Sequence, residues 1–202
     1  MSPRRYRMAR RQETTNETRS RIINAARDLL ATRRGSVKFS VEEVARRAGV
    51  ARMTVYHQFG SSQGLIQGLC DSLASAGGMH HLAEVFRLRN PLEALDEFVA
   101  VFMRFWSSDR PVRRGLGAMA VLDSDIAAVL EERSGWRRKG LKVLLGRLGN
   151  ETGRPKAEEM EAAVDLIYTL TDFHTYDSLA GSKRSLEQVT RMVQRLVRQV
   201  LA

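Results

Sequence analysis

The chain of 202 residues has a single cysteine, four prolines and 6% aromatic residues. It has no apolar run of the roughly 18 residues that a membrane-spanning helix needs. One cysteine, Cys70, rules out an internal disulfide framework, and with no His or acidic companion nearby it reads as a small buried residue. The opening MSPRRYRMARRQ lacks the apolar stretch of a secretory signal, so a cytoplasmic protein is expected. Sustained apolar/polar alternation is missing too, which argues against strands. Catalytic signatures are equally scarce. His80 and His81 are adjacent and cannot share a helix face as metal ligands do, and His174 stands apart from any Cys or carboxylate cluster. A phosphate-cradling glycine loop, a nucleophile elbow and a dinucleotide fingerprint are all absent, so no metal, no cofactor and no enzyme is expected.

What is present is positive charge in one place. Residues 1–60 hold 14 Lys and Arg against 5 Asp and Glu, net +9, whereas residues 61–202 hold 19 against 18, net +1. Such asymmetry fits a segment that meets a polyanion joined to one that does not, or else a solvated basic face.

Apolar residues recur at three- and four-residue spacing along most of the chain, predicting an all-α fold. Thr14 and Glu17 have capping-box spacing ahead of Ile22, Ile23, Ala26, Leu29 and Leu30, which predicts a first helix from about Thr15 to Arg33, ended at Gly35. Ser40 and Glu43 repeat the box before Val41, Val44, Ala45 and Ala48. Gly49 then breaks the chain, and a third helix runs from about Ala51 to Gln58. Two short helices about such a turn form a helix-turn-helix pattern, whose second helix lies in the DNA major groove. Val50, Val55 and Phe59 pin that helix. Arg52, Met53, Tyr56 and His57 face outward for base edges and phosphates, with Thr54 at the border. Ser40 and the arm residues Arg5, Arg10 and Arg11 complete the expected DNA-binding set, the arm serving phosphate or minor-groove contacts unless it is only a basic tail.

The run FSVEEVARRAGVARMTVYHQFGSSQGLI resembles the amino-terminal domain of the tetracycline-repressor (TetR/AcrR) family of transcriptional regulators. Val44, Ala45, Ala48, Gly49, Val50, Thr54, Tyr56, Phe59, Ser61 and Leu65 carry the likeness. Ala51 stands where the family usually has Ser or Thr, and Ser62-Gln63 replace a common Lys-Glu pair. The resemblance implies an arm (1–14), a helix-turn-helix domain (15–60) and a helical ligand-binding and dimerisation domain (61–202). It further implies a homodimer on an inverted-repeat DNA operator, acting as a repressor released by a small-molecule effector, with no membrane partner. Two rivals stand beside it: a DNA-binding architectural protein without a ligand, and a helical enzyme.

In the remaining chain, Gly64, Gly68, Gly77 and Gly78 predict either a soft connector or ordinary loose packing. Asn90 and Pro91 open a helix lined by Leu95, Phe98, Phe102, Phe105 and Trp106, and Pro111 with the glycines after it breaks the chain. Further helices are expected over 123–148, 156–179 and 185–202, with a loop over 149–155. A small, largely apolar ligand is expected against Phe102, Trp106, Tyr168 and His174, with Asp172 as a further polar group. Leu186, Val189, Val193, Leu196 and Val200, with Val164 and Ile167, have the spacing of a helix seam and are expected at the dimer interface.

Overall fold

A computed structural model describes residues 3–32, 39–152 and 157–202, with the side chains of 3–12, 151, 152 and 157 left out of the description. The described residues are helical and contain no strand. The helices are α1 (Pro3–Ala31), α2 (Val41–Ala48), α3 (Arg52–Phe59), α4 (Ser62–Ala76), α5 (Leu82–Val85), α6 (Pro91–Ser107), α7 (Arg110–Ala120), α8 (Ser124–Thr152), α9 (Ala157–Leu170), α10 (Phe173–Ala180) and α11 (Leu186–Val200). No described helix is long and apolar enough to cross a membrane.

The chain divides into two compact units. The first comprises residues 1–72 and 114–129, so it extends past residue 60 and takes in a later segment as well. Its core includes Ile22, Ala26, Val44, Val55, Leu65, Ile66, Leu69 and Cys70. Here α1 begins at Pro3, not near Thr15, because Arg, Met, Ala and Gln are strong helix formers and Pro is tolerated in a first turn. The expected cap at Thr14 therefore lies inside the helix, where Thr14 supplies a carbonyl to the Thr18 hydroxyl. Gly35 lies outside the described residues.

Gly64 and Gly68 have a packing role in this unit. A Cβ on Gly64 would sit 2.0 Å from the Phe59 carbonyl oxygen, and one on Gly68 would meet the Phe59 ring at 2.8 Å and the Arg19 guanidinium at 3.1 Å. These glycines are where α4 closes on the end of α3, and the backbone cannot come so near with a side chain in place.

The second unit comprises residues 73–113 and 130–202. Asn90 caps α6, its Oδ1 accepting from the amides of Leu92 and Glu93, with Pro91 in the first turn as expected. Pro111 likewise sits in the first turn of a helix, α7, so it starts an element instead of breaking one. The span expected as one helix over 156–179 is two. Asp172 takes an extended backbone and accepts from the His174 amide at 2.8 Å, so it ends α9 and caps α10. Helix α8 continues to Thr152, through part of the expected loop.

The core of this unit gathers Phe98, Val99, Val101, Phe102 and Met103 of α6 with Leu141, Leu144 and Leu145 of α8, Val164 and Ile167 of α9 and Val189, Val193 and Val197 of α11. This corrects the expected dimer seam. Val164, Ile167, Val189 and Val193 are fully buried within the single chain, because α6 and α9 cover the apolar stripe of α11. Of the remaining seam residues, Leu186 and Val200 are partly buried against the same core, and Leu196 is exposed.

Candidate nucleic-acid interface

The first unit builds a helix, a left-handed turn and a second helix. Ser40 starts α2 by accepting from the Glu43 amide at 3.2 Å. The Glu43 carboxylate turns away to Arg46, which holds it below the usual carboxylate range through their hydrogen bond, so only half of the expected capping box forms. Gly49 closes α2 with φ of 65°, its amide reaching the Arg46 carbonyl while the Val50 amide reaches that of Ala45 at 3.0 Å. That pairing requires a residue that tolerates positive φ. Ala51 leads into α3 with no side-chain cap, as its identity dictates.

Val55 anchors α3 in the core. Phe59 is held from outside the motif: Arg19 of α1 lies 4.2 Å over its ring and donates to the Gln58 carbonyl at 2.8 Å. Nothing in the local spacing announces this clamp, since 39 residues separate its partners. With its inner face fixed, α3 turns Arg52, Met53 and His57 to solvent, and leaves Thr54 and Tyr56 half-buried. Met53 is 60% exposed. The Ser40 oxygen accepts the cap bond, which leaves its hydroxyl hydrogen able to serve an acceptor such as a phosphate. The side chains of Arg5, Arg10 and Arg11 lie outside the described residues.

Arg52 is held in place. Its Nε lies 2.7 Å from Glu42 Oε1, its Nη2 donates to Tyr56 Oη at 3.1 Å, and its guanidinium carbon stands 5.2 Å from the Tyr56 ring centroid. The Tyr56 hydrogen bond, and then the Glu42 charge, push the guanidinium above its ordinary value. The sequence reading singled out Arg52 and Tyr56 but not Glu42.

In the second unit, three of the four expected ligand residues converge, and a side chain of the protein already fills the space between them. The Arg137 guanidinium lies 4.0 Å from the Tyr168 ring centroid, 5.8 Å from that of Phe102 and 5.9 Å from that of Trp106. It donates to the Tyr168 carbonyl at 2.6 Å, Thr171 Oγ1 at 3.0 Å and Asp172 Oδ2 at 3.1 Å, and its side chain is 2% exposed. Burial pulls this guanidinium below its ordinary value, opposed by the charge of Asp172. Trp106 completes the cluster by donating its indole N–H to the Thr171 carbonyl at 2.8 Å. His174 is exposed, its ring 5.8 Å from that of Phe173 between centroids. The rings expected against a ligand therefore surround an arginine. An open cleft of 660 Å³ lies elsewhere in this unit, lined by Asn90, Leu92, Glu93, Asp96, Arg198, Leu201 and Ala202, and none of the four residues borders it.

Residues 22–69 match the family model described as bacterial regulatory proteins, tetR family. The regulator AlkX of Mycobacterium tuberculosis is 48% identical over 56 residues, which are 28% of this chain and 26% of that protein, so the match spans about a quarter of the relative's length. Across the whole fold the chain is similar to a transcriptional regulator from Rhodococcus sp. Rha1, with a TM-score of 0.65 and 21% identity, over 91% of this chain and 95% of that one. It is similar also to a regulator from Saccharomonospora viridis solved in complex with choline, with a TM-score of 0.65 and 16% identity, over 91% and 96% of the two chains.

Proposed function

We propose, from the match of residues 22–69 to the tetR family of bacterial regulatory proteins, that this chain represses transcription as a homodimer on an inverted-repeat operator and is released by a small organic effector. The observation that carries the DNA half is the α2–Gly49–α3 unit, whose second helix presents Arg52, Met53 and His57 to solvent while Val55 and Phe59 are anchored. A helix so exposed fits the major groove, and the +9 charge of residues 1–60 favours the phosphate backbone.

The effector half rests on the family and on the separate second unit. Its site is not the Phe102–Trp106–Tyr168 cluster as it stands, because Arg137 occupies that space. An effector that uses those rings must first displace a buried, hydrogen-bonded guanidinium. The same filled cluster lends some weight to the rival reading of an architectural DNA-binding protein without a ligand. Homodimer formation must use surface other than Val164, Ile167, Val189 and Val193, which the protomer's own core consumes.

The test is retention of genomic duplex fragments by purified protein at two salt concentrations. A few fragments should be held tightly, with affinity falling steeply as salt rises, and a Tyr56→Ala/His57→Ala double variant should lose them. Equal retention of every fragment by wild type and double variant overturns the reading.

A further inference from the structure

The contacts around Arg52 reach beyond DNA binding in general to the base that is read. A guanidinium carries five N–H donors in a planar fork. In this protein Glu42 stands against Nε and Tyr56 Oη accepts from Nη2. Both N–H groups of Nη1 and the second N–H of Nη2 are left without a partner among the described residues. Arg52 is the first residue of α3, the end of the helix that meets base edges when such a unit docks. A guanine offers two adjacent acceptors, O6 and N7, on its major-groove edge, and an arginine fork satisfies both at once.

We propose that Glu42, Arg52 and Tyr56 form one guanine-reading device, in which Glu42 is a positioning residue that holds the fork of Arg52 for a base instead of a phosphate. The inference rests on the DNA-binding reading above. A free arginine at this position, on a flexible stem, finds phosphate oxygens as readily as bases, and phosphate contacts carry no sequence information. Glu42 opposes that outcome twice. Its carboxylate, 2.7 Å from Nε, draws the guanidinium to its own side by charge, and the same negative charge disfavours bringing the group flat against the phosphate backbone. Tyr56 supplies the second point of attachment, and two points define an orientation where one does not. Glu42 sits in the first turn of α2, where the helix dipole favours a carboxylate.

The experiment is selection of bound sequences from a randomised duplex pool by the full-length wild type, Glu42→Gln, Glu42→Asp and Arg52→Ala, each first confirmed as folded by its thermal transition. Wild type should enrich sites with a guanine at one fixed position, and Arg52→Ala should lose the preference there and nowhere else. Glu42→Gln should relax that guanine preference about tenfold, with affinity for random duplex unchanged or higher. Glu42→Asp, which retains the charge, should keep part of the preference. A Glu42→Gln variant that keeps the full guanine preference, or an Arg52→Ala variant that selects the wild-type sequence, overturns the proposal while leaving DNA recognition intact. Failure of the wild type to enrich any sequence defeats both the proposal and the reading beneath it.

Discussion

A carboxylate, a guanidinium and a tyrosine meet at several places among the described residues, and two of these differ sharply in their access to water. In the first unit Glu42, Arg52 and Tyr56 meet at the surface, the two charged side chains each 57% exposed. In the second, Asp172, Arg137 and Tyr168 meet around a side chain that is 2% exposed. Proximity to partners raises the Arg52 guanidinium, first through Tyr56, whereas burial lowers that of Arg137 against the pull of Asp172. The chemistry is the same and the solvent is different. An exposed ion pair contributes little to stability, since water and salt screen both members. The pair in the second unit is held on the arginine side, because removing Asp172 would strand the 2% exposed guanidinium of Arg137 away from water. The exposed trio leaves its arginine open to solvent, while the buried one joins α8 to the end of α9 and the cap of α10.

The largest effect should come from breaking the buried trio. Arg137→Ala removes the hydrogen bonds to the Tyr168 carbonyl, Thr171 and Asp172 and empties the space among three rings, so it should cost about 3–5 kcal/mol in urea denaturation. Adding Asp172→Asn should change that loss little, because the Asp172 side chain, 31% exposed, keeps its access to water. A cost near zero for Arg137→Ala would mean that burial does not distinguish the two sites.

A smaller loss tests the neutral strut beside it. Trp106→Phe keeps an aromatic ring but leaves the Thr171 carbonyl without the indole donor, so the same measurement should show about 1–3 kcal/mol. The smallest change is expected in the exposed trio. Glu42→Gln and Arg52→Ala should leave the denaturation midpoint where it is, their effect falling on sequence selection alone. A clear drop in midpoint for either would show that the surface trio also supports the fold.

Much of the first unit was legible in residues 40–60, because its determinants are local. Ser40 caps through an amide three residues on, Gly49 takes the backbone angle that other residues avoid, and Val55 recurs at the spacing that faces the core. The parts that were not legible depend on distant partners. The Arg19 clamp on Phe59, the contact of Glu42 with Arg52 and the close approach at Gly68 each join different helices. In the second unit the aromatic composition was read as a pocket lining. Rings and a guanidinium attract each other as well as rings and a ligand do, and which of them fills the centre is not written in spacing.

The sequence by itself determined the helical character, the bounds of α2 and α3, the starts of α6 and α11, and the outward face of α3, since these follow from periodicity, caps and a single glycine turn. The tertiary structure alone decided which apolar stripes are spent. The α11 seam reads the same whether another helix of the chain or a second copy covers it, and only the packing of α6 and α9 against Val189 and Val193 assigns it to the protomer. Tertiary packing likewise decided that Arg137 is enclosed and Arg52 is not. A side chain's charge is local to its residue, but its exposure is set by every element that packs around it, and that sum is made only when the chain has folded.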